Sequence, residues 1–118
     1  ERHPRLKVFI SHGGGYFPFY LGRFDHAFEA RAECRTHISK PPSEYMKRLY
    51  FDTVVFKPEM IAYLAQSVGV EKIMMGTDRP YDMGESEPLA LVDAVPGLSD
   101  ADRAAIKGGN AAALFGIG

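Results

Sequence analysis

Cysteine is almost missing from this chain of 118 residues. Cys34 stands alone, so no disulfide can close within the chain and no cysteine-based zinc site can form. A reducing, cytoplasmic setting fits that usage. Excess charge of one sign is missing too. Fourteen lysines and arginines meet fifteen aspartates and glutamates, a net charge of −1, which gives no footing for nucleic acid or a membrane surface. No apolar run approaches the length of a membrane span, and the opening residues do not read as a secretory leader. No methionine begins the chain, and ERHPRLKV leads straight into a strand pattern, as a cut through a connection would. No linker, fixed-period repeat or low-complexity tract interrupts the sequence. The expectation is a single domain over 1–118, or part of one.

The residues that are present read as alternating elements. Three segments have strand character: LKVFIS (6–11), LYFDTVV (49–55) and KIMMGTD (72–78). The first and third are nearly continuous apolar runs, as parallel strands covered on both faces are. Between the first two, Phe17, Tyr20, Leu21, Phe24 and Phe28 recur at helical spacing over about three turns. Ser43 is placed to cap a short helix through Arg48. Pro58 suits the first turn of another helix, with Met60, Ile61, Leu64 and Val68 facing inward and Gly69 as its stop. Then come EPLALVDAV, a capping-box spacing at Ser99 and Asp102, and NAAALFG, with Asn110 as cap and Gly116 as terminator. Strands alternating with helices predict βαβ units, a parallel sheet and an α/β fold.

In parallel α/β folds, working side chains sit where strands end. His12 and Asp78 occupy such ends, after the first and third strands. A carboxylate there can ligate a hard or borderline metal ion, and an imidazole can ligate or act as base. The plainer alternative is a backbone hydrogen bond for His12 and a turn cap for Asp78. Three glycines come directly after His12, and they serve either a close approach to a ligand or a positive φ. HGGG also occurs in esterase oxyanion loops, but no serine here sits in a G-x-S-x-G elbow, and G-x-G-x-x-G is absent as well. Arg23 and Arg31 are forks suited to substrate carboxylates, or else solvated side chains near Asp25 and Glu29. His26 reads as structural or exposed, His3 and His37 carry no signal, and the role of Asp52 inside the middle strand stays open.

Four stretches in this order, ISHGGGYFPFYLGRFDHAFEAR, PPSEYMKRLYFDT, MMGTDRPYDMG and GLSDADRAAIKGGNAAALFG, resemble the C-terminal part of the amidohydrolase superfamily. The branch is that of metal-dependent decarboxylases similar to 2-amino-3-carboxymuconate-6-semialdehyde decarboxylase. The resemblance implies about strands 6–8 of a (β/α)8 TIM-type barrel and a divalent metal, usually zinc, with manganese possible. It implies that His12 is catalytic, activating water at the metal or handling the substrate proton, and that Asp78 is a metal ligand that also positions that water. It implies that Arg23 and Arg31 hold substrate carboxylates, one of them in a neighbouring subunit's site. Eight helical residues separate two side chains by roughly 12 Å along the axis, which suits a shared interface better than one site. The glycines would keep the loop open for a flat carboxylated substrate.

The resemblance also exposes departures. The superfamily's H-x-H and the histidine of strand 5 have no counterpart in these residues. Arg79 stands where relatives usually carry an aromatic residue, and Phe56-Lys57 precede Pro58 where histidine-aspartate is frequent. The expected function is non-oxidative decarboxylation of a small unsaturated or aromatic acid by a homo-oligomeric, cytoplasmic enzyme. A hydrolase or hydratase of the same superfamily is one alternative, and a non-catalytic half-barrel is another.

Overall fold

A computed structural model describes residues 2–118. Three parallel strands, β1 (Phe9–Ile10), β2 (Tyr50–Asp52) and β3 (Ile73–Met74), form one sheet in that order. Phe9 pairs with Tyr50 and Ile10 with Phe51, while Phe51 pairs with Ile73 and Asp52 with Met74. Two helices, α1 (Leu21–Ala30) and α2 (Pro42–Met46), connect β1 to β2, and α3 (Pro58–Val68) connects β2 to β3. After β3 come α4 (Pro88–Asp93), α5 (Asp100–Ala104) and α6 (Asn110–Phe115). The alternation predicted from the sequence is thus present.

The strands are shorter than their apolar runs, for identifiable reasons. β2 stops at Asp52 because its own carboxylate captures the Val54 N–H at 3.0 Å, and Val55 N–H turns back to the Thr53 carbonyl at 2.8 Å. β3 stops because Met75 N–H bonds the Ile106 carbonyl at 2.9 Å instead of a neighbouring strand. β1 is an edge strand, and Leu6, Val8 and Phe9 ahead of and within it are exposed.

The core lies where β2 and β3 meet α3 and the C-terminal helices. Phe51, Ile61, Ile73, Val92, Val95 and Ile106 are fully buried. Pro58 opens α3, and Gly69, at φ 95°, ends it. Ile61, Leu64 and Val68 point inward as the spacing predicts, whereas Met60 is only half-buried and Ala62 is buried in its place. The predicted aromatic face of α1 is only partly covered: Phe17 and Leu21 pack against the core and Phe28 is half-buried, while Tyr20 and Phe24 are exposed. The helix is shorter than expected, comes after a 3-10 turn at Pro18–Tyr20, and buries none of its residues.

Two caps differ from expectation. Ser43 is the second residue of α2 and does not cap it; its N–H is held by the Asp25 carboxylate on α1 at 3.0 Å. Asn110 caps nothing, because α5 runs into α6 without a break through a π turn at Ala105–Gly109. Its amide instead donates to the carbonyls of Val70 (2.8 Å) and Ile73 (2.7 Å), pinning the last helix to the start of β3. The Ser99–Asp102 capping box and the left-handed stop at Gly116 are both present.

Candidate functional site

The C-terminal ends of the three strands bring together the residues with the most chemistry. Neighbouring strands lie about 5 Å apart, so β1 and β3, on either side of β2, are separated by roughly 10 Å. Their outgoing loops nevertheless converge. His12 Nε2 lies 4.0 Å from Asp78 Oδ1, with the imidazole 60% and the carboxylate 26% exposed. That separation is too long for a direct hydrogen bond and short enough for both groups to meet one ligand or one water.

Asp52, left open by the sequence, holds the first loop. The residue is 5% exposed. Oδ2 accepts the His12 N–H at 2.9 Å, and Oδ1 accepts the N–H groups of Gly13 (2.8 Å) and Val54 (3.0 Å). Successive backbone N–H groups converging on one anion make a nest. His12 has φ 57°, in the left-handed region, where a non-glycine residue costs about 1–2 kcal/mol. Each hydrogen bond to a charged acceptor contributes about 1.5–3 kcal/mol, so the two bonds from His12 and Gly13 outweigh that strain. The third loop is held by Thr53, fully buried, whose hydroxyl accepts the Gly76 N–H at 3.1 Å. The adjacent pair Asp52-Thr53 therefore stitches the ends of both flanking strands to the middle one. A polar pair closing an apolar strand, YFDT, was the available signal.

The glycines after His12 have a packing explanation. Gly13, Gly14 and Gly15 all have positive φ. A Cβ at Gly13 would overlap Val55 Cγ1, and one at Gly14 would sit 2.7 Å from the Phe51 ring. Only Gly15 faces open space. Two of the three glycines thus let the loop lie flat on the end of β2.

Beyond Asp78 the chain folds back on itself. Tyr81 N–H bonds the Asp78 carbonyl at 3.1 Å, and Glu85 N–H bonds the Thr77 carbonyl at 2.8 Å. Asp78 also holds φ 57°, and the Arg79–Pro80 peptide is cis. The Arg79 guanidinium lies along this loop, 3.4 Å from the Ser86 carbonyl.

Among the described residues, no hydrogen bond or ion pair joins Arg23 or Arg31 to His12 or Asp78. Arg23 is exposed on α1; Arg31, just past the helix in extended conformation, pairs with Glu33 at 3.7 Å. His3, His26 and His37 are exposed. Among the described residues, no group of three or more histidine, cysteine or acidic side chains could enclose a metal ion. The donor chemistry of Asp78 with His12 beside it suits a divalent ion, but it fills only part of a shell, since a catalytic zinc takes three protein ligands. No helix among the described residues is long and apolar enough to cross a membrane.

Known proteins resemble this chain in sequence and fold. The Amidohydrolase family model matches residues 1–117, and the chain belongs to that family. It is 36% identical over 118 residues to 2-amino-3-carboxymuconate-6-semialdehyde decarboxylase of Dictyostelium discoideum, covering 99% of this chain and 33% of that protein. The crystal structure of 5-carboxyvanillate decarboxylase from Sphingomonas paucimobilis superposes with a TM-score of 0.83 at 31% identity, over 99% of this chain and 36% of that one. A dihydroxybenzoic acid decarboxylase from Polaromonas, solved with bound manganese and 2-nitroresorcinol, superposes with a TM-score of 0.84 at 23% identity, over 98% of this chain and 35% of that one. The fold is α/β and matches part of the barrel of amidohydrolase-type decarboxylases; the chain spans about a third of these relatives' length.

Proposed function

We propose, from membership of the amidohydrolase family, that these residues are the C-terminal third of a metal-dependent, non-oxidative decarboxylase for a small unsaturated or aromatic carboxylic acid. In this reading 1–118 is one partial domain, and β1, β2 and β3 are strands 6, 7 and 8 of a (β/α)8 barrel. The observation that carries it is the convergence of His12 Nε2 and Asp78 Oδ1 to 4.0 Å above the end of β2. Decarboxylases among the relatives support the reaction class.

Asp78 would hold a divalent ion, zinc or manganese, with the remaining ligands coming from parts of the protein outside these residues. When bound, the ion supplies positive charge that withdraws electron density from substrate oxygens. Breaking the bond between the substrate carbon and its carboxylate expels CO₂ and leaves the electron pair on that carbon, which then takes up one proton. No oxidant or reductant is consumed. His12, exposed at the strand end, holds and delivers that proton. Arg23 and Arg31 bind substrate carboxylates bidentately, one of them across a homo-oligomer interface. Their exposure on and just after α1 supports that shared arrangement. The enzyme works in the cytoplasm, and these residues alone, short of a full ligand set, are inactive.

The test is turnover by the full-length protein of carboxylated aromatics, monitored by CO₂ release, beside lactone and amide substrates. Release of CO₂ that falls on the order of 10²–10⁴-fold in His12→Asn supports the reading. Hydrolysis of a lactone or amide with no CO₂ released from any carboxylated substrate would replace it with the hydrolase alternative.

A further inference from the structure

One buried charge has no part in that chemistry. Asp52 forms no ion pair with a cation among the described residues, and every hydrogen bond its carboxylate accepts comes from backbone. We propose that Asp52 is a positioning residue, whose carboxylate fixes the backbone at His12 and so sets the distance between the imidazole and Asp78. This inference rests on the proposed role of His12.

Two hydrogen bonds, one to each carboxylate oxygen, define the orientation of the His12 and Gly13 peptide units as one could not. The turn at His12 is also closed by backbone bonds from Gly14 N–H to the Ser11 carbonyl (3.1 Å) and from Gly15 N–H to the His12 carbonyl (2.9 Å), but the imidazole is largely exposed, and Asp52 is the side chain that accepts the His12 N–H. Asp52 itself is buried on the central strand and in register with Met74 of β3. It also touches the opposite loop, because a Cβ added at Gly76 would stand 2.9 Å from the Asp52 Cβ. One side chain therefore meets the loop that carries His12 and the loop that carries Asp78. A shift in that side chain moves one loop relative to the other, and misplacement of a proton-transferring group by about 1 Å can cost 10²-fold in rate.

Asp52→Asn keeps the volume but turns an N–H₂ toward one of the loop N–H donors, so one bond is lost and the loop is pushed away. In the full-length protein, this variant is expected to lose on the order of 10²-fold in kcat with KM within about threefold of wild type. Combined with His12→Asn, it should cost nothing more than His12→Asn alone, because its effect passes through His12. Ile61→Ala, on the buried face of α3, serves as a control for stability and should keep kcat despite a lower Tm. If His12→Asn inactivates while Asp52→Asn keeps kcat within about twofold, or if its loss adds to that of His12→Asn, the proposal is overturned. If His12→Asn stays active, the functional reading of His12 fails. The crystal structure of Asp52→Asn then decides the positioning: a His12 that leaves φ 57° supports it, and one that stays there with Asp78 at 4.0 Å overturns it.

Discussion

Among the described residues, His12, Phe56 and Asp78 are the non-glycine residues that hold a positive φ, each near 57°, and each lies a few residues past one strand of the sheet. Left-handed backbone at a side chain with a Cβ persists only where surroundings enforce it, and it gathers at functional sites. At His12 the enforcement is visible in Asp52. Two predictions belong to this scale. Gly13→Ala should destabilise the protein by more than about 2 kcal/mol in urea denaturation, since it adds strain at φ 56° and drives a methyl group into Val55. Thr53→Val removes the acceptor of the Gly76 N–H while preserving shape, and should cost about 1–3 kcal/mol in the same experiment. A Gly13→Ala protein as stable as wild type would mean that the loop does not lie on β2 as described.

Element by element, the sequence revealed composition better than extent. Apolar runs located all three strands, and Pro58, Gly69, Gly116 and the Ser99–Asp102 box marked helix ends through chemistry internal to a few neighbouring residues. Strand lengths were not legible, because they are set by contacts across the fold: Met75 turning to Ile106, and Asp52 bending its own chain. The same holds for Ser43 and Asn110, whose local spacing suggests caps while their actual partners lie 18 and about 40 residues away. His12 and Asp78 could be singled out from their positions after strands. Asp52 could not, because a polar residue in a strand pattern is equally consistent with an inward or an outward role until the neighbouring loop is placed.

The C-terminal helices add two checks at this scale. Arg103 donates to the carbonyls of Asp93 (3.2 Å), Val95 (3.2 Å) and Leu98 (2.7 Å), closing the end of α4 and the turn after it. Arg103→Ala should therefore cost about 2 kcal/mol in denaturation. At the start of α5, the Ser99 hydroxyl and its backbone N–H hold the Asp102 carboxyl below its ordinary value of 3.8. A carboxyl lowered on folding contributes stability that is present above the ordinary value and lost as pH falls through the lowered one. Ser99→Ala should thus have a lower Tm than wild type at neutral pH, and the two should draw together in strong acid. A gap that widens on acidification would contradict this assignment.

For the whole molecule, the open edge of β1, the partly covered aromatic face of α1 and the two-donor site share one explanation under the proposed function: they meet the rest of a barrel and a neighbouring subunit. Leu6, Phe9, Tyr16, Tyr20 and Phe24 are exposed here, a concentration of apolar surface that a covered barrel strand and an oligomer interface would remove from water. Chelation of the full-length protein should abolish CO₂ release, with recovery on adding back manganese or zinc. The most direct measurement is the metal content of the full-length protein beside its Asp78→Asn variant, by elemental analysis at matched purity. Close to one divalent ion per chain is expected in the wild type, and a loss on the order of tenfold or more in the variant. An Asp78→Asn protein that keeps the full complement of metal would contradict the assignment of this strand end as part of a metal site.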